Sequence, residues 1–461
     1  MAHGPPAGNK TCPPGIKGLR GAVSAKENKD MLVVYHKVAA YLAEPLVSAV
    51  LISSLRLVVA LLLLALQWYV LRAFLRIIRS LDLKKERVFI IAATSLVVLM
   101  TLPLAAFIVE SVISPRATLL YSPPPQYESI MRPLAYTFFV WTMGSLFFAA
   151  ASPIAMGVFA AIQFFRNRRQ KGESETTVEV FDLSRRRFLR MALLAVASMP
   201  FAVSAYGAVA ARSRKVVERV VIPIPGLPPQ LDGLTIVQMS DIHSGMFMTE
   251  AQMDNHVRVA NELEPDIVAL TGDFIATNKD QVAPFINSMS KLRAKRGVFG
   301  CLGNHDMSGS AAERIAQGFE QHGLKLLRNR NEIIDIDGAK LNVIGVDYIG
   351  RRSRLHSLGQ AVKDIPLEGT TVLLAHSPNS FEEAARAGID LMLSGHTHGG
   401  QIALNLAGLV LTPAALATMF LAGLFRIGGS HLYVNRGLGT TGPPIRINAP
   451  AEITHITLRP E

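Results

Sequence analysis

The stretch Leu391 to Gln401 reads L-M-L-S-G-H-T-H-G-G-Q, an apolar run ending in a glycine turn that presents His396 and His398 one residue apart. Such a pair can serve two adjacent metal ions. Its meaning depends on further ligands upstream, and four groups of ligand-type residues stand there in order: Asp241-Ile242-His243, Gly272-Asp273, Gly303-Asn304-His305-Asp306 and His376. Each alone has a plainer explanation. An Asp after a strand commonly caps or turns, an Asn commonly fills a left-handed turn position, and a lone His is commonly a core residue. Jointly, five groups in one order argue for a metal centre.

The elements that must position these groups are legible as short apolar runs. Thr235 to Ser240, Ile267 to Thr271, Val298 to Leu302, Thr371 to Ala375 and Leu391 to Ser394 read as strands, and one ligand group follows each. A further strand reads at Leu341 to Val346, followed by Asp347 as a pocket or turn residue. Helical patterns over Gln252 to Leu263 and Ser380 to Ala387 are interleaved with the strands. This alternation predicts an α/β layered domain. Loops at strand carboxyl ends can bring distant sequence positions together while the sheet holds them rigid.

Together D-x-H, G-D, G-N-H-D, H and G-H-x-H resemble the calcineurin-like metallophosphoesterase superfamily, over roughly residues 232 to 461. G-H-T-H-G-G-Q and the ending L-Y-V-N-R-G-L-G-T-T-G-P-P-I-R, Leu432 to Arg446, further resemble its bacterial membrane-associated, often twin-arginine-exported branch. Lipid-nucleotide pyrophosphohydrolases of the UDP-diacylglucosamine type share the same core. The resemblance implies an α/β sandwich of two mixed β-sheets flanked by helices. It also implies Asp241, His243 and His398 on a first metal, Asn304, His376 and His396 on a second, and Asp273 bridging both. Oxygen and imidazole donors without thiolate suit two divalent ions such as Mn, Fe or Zn, with Mn favoured. The implied reaction is hydrolysis of a phosphodiester or pyrophosphate bond by a hydroxide held between the ions. His305 would be the catalytic residue, steadying developing charge or protonating the leaving oxygen, with Asp306 placed to orient it.

The 461 residues are half hydrophobic and carry a net charge of +12, unevenly spread. Residues 1–211 hold 23 Lys and Arg against 11 Asp and Glu, whereas residues 212–461 hold 24 of each. The basic half is also the apolar half. That pairing predicts membrane helices flanked by cationic loops and not a nucleic-acid surface. Residues 1–44 read as a mobile tail and 45–165 as three transmembrane helices, with apolar runs at Leu57 to Leu71, Val88 to Val109 and Leu134 to Phe165. Residues 166–211 read as a basic loop plus a fourth transmembrane or signal-anchor segment, and 212–461 as the metallophosphoesterase domain. Runs of this length can cross a bilayer. Cys12 and Cys301 offer no disulfide framework.

Basic clusters follow the first apolar run and recur from Arg166 to Arg190, which assigns those ends to the cytoplasm of a multi-pass inner-membrane protein. The catalytic domain is then expected outside the cytoplasm. S-R-R-R-F-L-R, Ser184 to Arg190, resembles a twin-arginine export signal placed internally, or is simply the cationic flank of a helix. The sequence leaves open whether A-V-A at Ala208 to Ala210 is cut. Expected partners are the bilayer and a phosphoester substrate, with a lipid-linked or cell-envelope one compatible with that position; oligomeric state is not legible. Two rivals remain open: a cytoplasm-facing UDP-diacylglucosamine-type pyrophosphohydrolase, and a non-catalytic membrane receptor or scaffold. The nearly uncharged stretch Ile402 to Gly429 is either a buried hairpin and helix packed on the sheet or an apolar lid beside the metals.

Overall fold

The computed structural model describes residues 54–55, 57–79, 86–113, 127–170, 183–277, 279–349, 357–362, 367–406 and 409–461. The expected tail over 1–44 lies outside them, as does the loop between residues 170 and 183. Four helices come first: α1 (Leu57–Arg79), α2 (Glu86–Ile113), α3 (Glu128–Gln170) and α4 (Leu183–Ser213). Among the described residues three are long and apolar enough to cross a membrane: α1, α3 over Glu128–Phe165, and α4 over Met191–Ser213. The expected span Val88 to Val109 falls within α2, whose side chains from Pro103 onward lie outside the described residues.

By packing, the chain falls into two units, Met1–Leu62 with Ile108–Ala117, and Leu63–Phe107 with Thr118–Glu461. The first contributes only the start of α1 and the end of α2 to the described residues. Within the second unit, Val70, Phe148 and Ala197 form a buried seam with Phe74, Trp141 and Phe201 packed against it. Buried Gln67 accepts hydrogen bonds there from Trp141 Nε1 and Ser145 Oγ. A polar side chain among apolar helices is tolerated when a neighbouring helix supplies its partner.

The strand β1 (Lys215–Ile224) begins directly after α4 and opens a six-stranded mixed sheet. Its order is β1, β14 (Ala451–Pro460), β2 (Thr235–Met239), β3 (Ile267–Thr271), β4 (Val298–Cys301) and β5 (Lys325–Leu326). The second six-stranded sheet runs β12 (Gly423–Ile427), β13 (Ser430–Val434), β9 (Leu391–Ser394), β8 (Thr370–Leu374), β7 (Ala339–Gly345) and β6 (Arg330–Ile336). Strands β2 to β5 are parallel, as are β7, β8, β9 and β13; antiparallel pairs form at β14 with β2, β6 with β7 and β12 with β13.

Alternate residues along these strands enter different layers, as the period of two requires. Ile236, Ala269 and Phe299 of the first sheet share one buried cluster with Val343, Val372 and Leu393 of the second. Val237, Val268 and Leu270 instead pack against α5 (Glu250–Glu262), α6 (Val282–Met289) and α7 (Ala311–Gln321) through Val257, Phe285 and Phe319. On the second sheet Ile344, Leu373 and Met392 meet α8 (Leu358–Val362) and α9 (Phe381–Arg386) through Leu358 and Phe381. Helix α5 shows why its sequence is helical. Thr249 and Gln252 form a reciprocal capping box, and Met253, His256, Val257 and Ala260 are buried on one face. The parallel strands therefore bring their carboxyl ends, and the ligand groups that follow, to one edge of the layers.

The stretch Ile402 to Gly429 is neither a buried hairpin with a helix nor wholly detached. It forms a two-stranded hairpin, β10 (Leu404–Leu406) with β11 (Leu409–Leu411), then a 3-10 turn and β12. Leu416 is 93% exposed and Met419 78%, while Phe420 is buried against Phe381 and Phe425. An apolar tip is thus left uncovered beside a buried anchor.

Candidate metal centre

Asp241 and His243 follow β2, Asp273 follows β3, Asn304 and His305 follow β4, His376 follows β8, and His396 and His398 follow β9. All eight expected site residues come to this one edge. Three overlapping groups each place one donor atom per residue within 4.8 Å of the others: Asp241, His243 and His398; His243, Asp273 and His305; Asp273, His376 and His396. Asp273 belongs to two of them. Its Oδ2 lies 3.6 Å from His243 Nε2 and 3.2 Å from His376 Nε2. Asp241 Oδ1 lies 3.4 Å from His398 Nε2, and the Nε2 atoms of His243 and His398 are 3.2 Å apart.

Whether these residues fit metal ions is tested by Asn304. Its Oδ1 is buried and has no hydrogen-bond partner. Burying an amide oxygen without a partner is costly, so native structures rarely leave one unless something else binds it. A cation at this edge would satisfy it. The backbone is consistent: Asp241, His243, Asp273, His396 and His398 all have φ between 49° and 72°, the left-handed region that L-residues seldom occupy. Several such positions in one site indicate strain held by the surrounding structure. Close approach is needed too, because a Cβ on Gly395 would stand 2.1 Å from Asp241 Oδ2 and 2.0 Å from Ser240 Oγ.

The donors are oriented from behind. Ser240 Oγ and the His396 backbone N–H both donate to Asp241 Oδ2, at 2.6 and 3.0 Å. His376 Nδ1 donates to the Thr271 carbonyl at 2.8 Å, which turns Nε2 towards the site. The His305 backbone N–H donates to Asp273 Oδ1, and its Nδ1 donates to the Ala276 carbonyl. The imidazole of His305 is therefore set by a backbone carbonyl. Asp306 does something other than the sequence suggested: its Oδ1 accepts from Phe274 N and Ile275 N and its Oδ2 from Gly303 N, so it braces two ligand loops against each other. Asp347 is taken up by Arg328, and it lines a cavity of about 220 Å³ that His376 also borders.

Burial dominates the electrostatics. It pushes Asp241 up to about 6 and Asp306 up to about 8, and holds His243 down at about 3 and His396 at about 4. Burial also opposes the charges of His376 and Asp273, but their mutual attraction wins. Asp273 stays well below the ordinary carboxylate range and His376 rises to about 10.

Three neighbours were not legible as site residues. Thr441 Oγ1 lies 2.9 Å from His398 Nε2 and 3.1 Å from His243 Nε2. Arg446 is buried with Nη2 3.4 Å from His398 Nδ1, and it donates to the carbonyls of Arg436, Gly437, Gly439 and Ala449. Tyr348 faces His376 and His396, with ring centroids 6.1 and 5.8 Å away. Thr441 and Arg446 lie inside the motif that ends at Arg446, but a motif reports type and order, not reach.

Residues 234–400 match the family model described as calcineurin-like phosphoesterase. The chain is 33% identical over 245 residues to the metallophosphoesterase YkuE of Bacillus subtilis (strain 168), covering 50% of this chain and 82% of that protein. It is also 33% identical over 294 residues to a Bos taurus transmembrane protein with metallophosphoesterase domain, covering 60% of this chain and 64% of the relative. A Danio rerio protein of the same description is 31% identical, with 55% and 60% covered. The matched stretch thus spans less than two thirds of the vertebrate relatives, and the similarity reaches well beyond bacteria. With the ligand types, their order and the convergent strand ends in agreement, the chain belongs to the calcineurin-like phosphoesterase family.

Proposed function

We propose that this protein is a membrane-anchored, dinuclear-metal phosphoesterase that hydrolyses a phosphodiester or pyrophosphate bond. The observation that carries the reading is the set of three overlapping donor groups, two of them sharing Asp273, together with the buried, unpartnered Oδ1 of Asn304 in the loop after β4. Asp241, His243 and His398 would hold one cation and Asn304, His376 and His396 the other, with Asp273 shared between them. The donor set suits Mn, Fe or Zn, and Mn is the ion we favour. When bound, two such cations supply Lewis acidity towards phosphoryl oxygens and acidify water. The protein's own part is orientation and proton handling. Ser240, Thr271 and the His396 backbone fix the donors. His305, anchored through Nδ1 to Ala276, presents Nε2 to a cavity of about 230 Å³ that His243 also lines, where it protonates the leaving oxygen.

The anchor is read as multi-pass, with the basic ends of α3 and α4 in the cytoplasm and the catalytic domain outside. The arginines at the start of α4 are read as an internal twin-arginine signal. Exposed Leu416 and Met419 support a membrane-proximal position, since their segment is tied to the H-T-H-G-G turn by Thr412 Oγ1 donating to the Gly400 carbonyl and Thr397 Oγ1 to the Leu421 carbonyl.

The test is hydrolysis of bis(p-nitrophenyl) phosphate by the full chain in detergent, stripped of metal and then given Mn²⁺. Activity that returns with Mn²⁺ and is lost in His376→Ala is the expected result. A folded, metal-loaded protein that cleaves neither this diester nor p-nitrophenyl phosphate would turn the reading towards a binding scaffold.

A further inference from the structure

The cavity bordered by His243 and His305 is also lined by Met246, Phe247 and Met248. Phe247 is half-buried there. Its ring packs edge-on against Tyr136 and Phe139 of α3, with centroids 5.2 and 5.9 Å apart. Arg132, at the start of α3, donates from Nε to the Met246 carbonyl at 2.7 Å. A second seam fixes α4 to the same domain: Arg446 N donates to the Gly207 carbonyl, and a Cβ on Gly207 would stand 2.7 Å from Ile445 Cγ2. The metal centre is therefore held against the ends of two helices that are apolar enough to cross a membrane.

Between those helices, on the other side of Tyr136, lies an open apolar groove of about 540 Å³. Pro133, Val140, Trp141, Phe201 and Ala205 line it, and Arg212 stands at the end nearest the catalytic domain. This volume is in the range of small-ligand sites. Arg212 is exposed and has no carboxylate partner among the described residues. The Phe247–Tyr136 pair links the two: Phe247 lines the metal cavity and Tyr136 lines the groove. An apolar slot opening among membrane-spanning helices, with a free cation at its metal-proximal mouth, is complementary to one chemistry: an acyl chain joined to an anionic phosphate.

We propose that the substrate is a lipid phosphoester whose acyl chain lies in the groove between α3 and α4 while its phosphoryl group reaches the metal centre past Phe247. This rests on the phosphoesterase reading of that centre. Arg212 meets the lipid at the mouth of the groove, and Phe247 is the residue the chain must pass or displace.

The test uses the full chain in nanodiscs of dioleoyl phosphatidylcholine doped with a phosphatidylglycerol that carries a diazirine on one acyl chain. After photolysis, adducts are expected on Tyr136, Val140, Trp141, Phe201 and Phe247. They should be lost in Ala205→Trp and, as a second and smaller obstruction, in Val140→Phe. Arg212→Gln is expected to lower labelling about fivefold, the worth of one partly exposed charge contact. A diazirine-labelled diacylglycerol, which lacks the phosphate, should label the groove weakly and show no dependence on Arg212. Adducts confined to outward residues such as Leu193, Val196 and Met199, or unchanged in both obstructed variants, would overturn the proposal. Hydrolysis of bis(p-nitrophenyl) phosphate by the same preparation reports separately on the metal centre. Groove labelling without that activity would sink the phosphoesterase reading alone.

Discussion

The residue with most to reveal is His376. Burial works against its charge, but the carboxylate of Asp273 3.2 Å away holds its pKa up at about 10, so without metal it is protonated at neutral pH. A cation needs the neutral ring, so its binding must expel that proton. Metal affinity should then rise with pH at all values below about 10, and titration calorimetry near neutral pH in buffers of different ionisation enthalpy should find close to one proton released from this histidine. The same pair carries a stability signature in the metal-free protein. A folded pKa above the unfolded value gives stabilisation that is complete below about 6.5 and fades as pH climbs towards 10. Metal-free melting temperatures that rise over that window would contradict it. Ser240→Ala removes the hydroxyl that donates to Asp241, and an approximately 10- to 100-fold loss of Mn²⁺ affinity is expected, as for other groups that orient a ligand. The eight expected site residues could be named from the sequence because Asp, His and Asn after apolar strands have a recognisable donor chemistry and order, and the fold brings them to one edge. Thr441 and Arg446 were not, because a hydroxyl or a buried guanidinium has too many other uses for its type to identify it.

Among the elements, those carrying ligands were legible to within a residue or two. Strands β2, β3, β4, β8 and β9 are buried along their length, so they read as continuous apolar runs. Strands β1, β6, β12 and β14 mix polar and apolar residues because parts of each are exposed, and they escaped notice. Helices α6 and α7 also escaped notice, and their packing against Phe274 through Phe285 and Phe319 shows them as core elements. Asp306 shows how position can mislead: its place beside His305 suggested a catalytic helper, but its three backbone hydrogen bonds hold the loop after β4 to the loop after β3. Removing it leaves buried donors unpaired at roughly 1–3 kcal/mol each, less any water that enters. Asp306→Ala is therefore expected to lower the melting temperature of the metal-free protein by several degrees, read by calorimetry. An unchanged melting temperature together with lost activity would return Asp306 to the catalytic role.

For the molecule as a whole, the proposed topology places the layers outside the cytoplasm. A bacterial alkaline phosphatase fused after Glu461 is expected to be active, and a fluorescent protein that matures only in the cytoplasm to be dark; the reverse would favour the cytoplasm-facing pyrophosphohydrolase. Gly207→Val, which places side-chain atoms where Ile445 packs, should loosen α4 from the domain and speed proteolysis near Arg214. The pairing of β1 with β14 also has a consequence for synthesis. β1 is the edge strand, and its partner is β14, with Lys215 opposite Ala451 and Ile224 opposite Pro460. Arg436 braces the same place through ion pairs to Glu218 and Glu452. As the ribosome works along the message, β1 emerges early and must wait, unpaired, while every other strand of both sheets is made. The first sheet cannot close on a nascent chain until β14 has left the exit tunnel, so the domain completes its fold only after β14 has been made and has emerged.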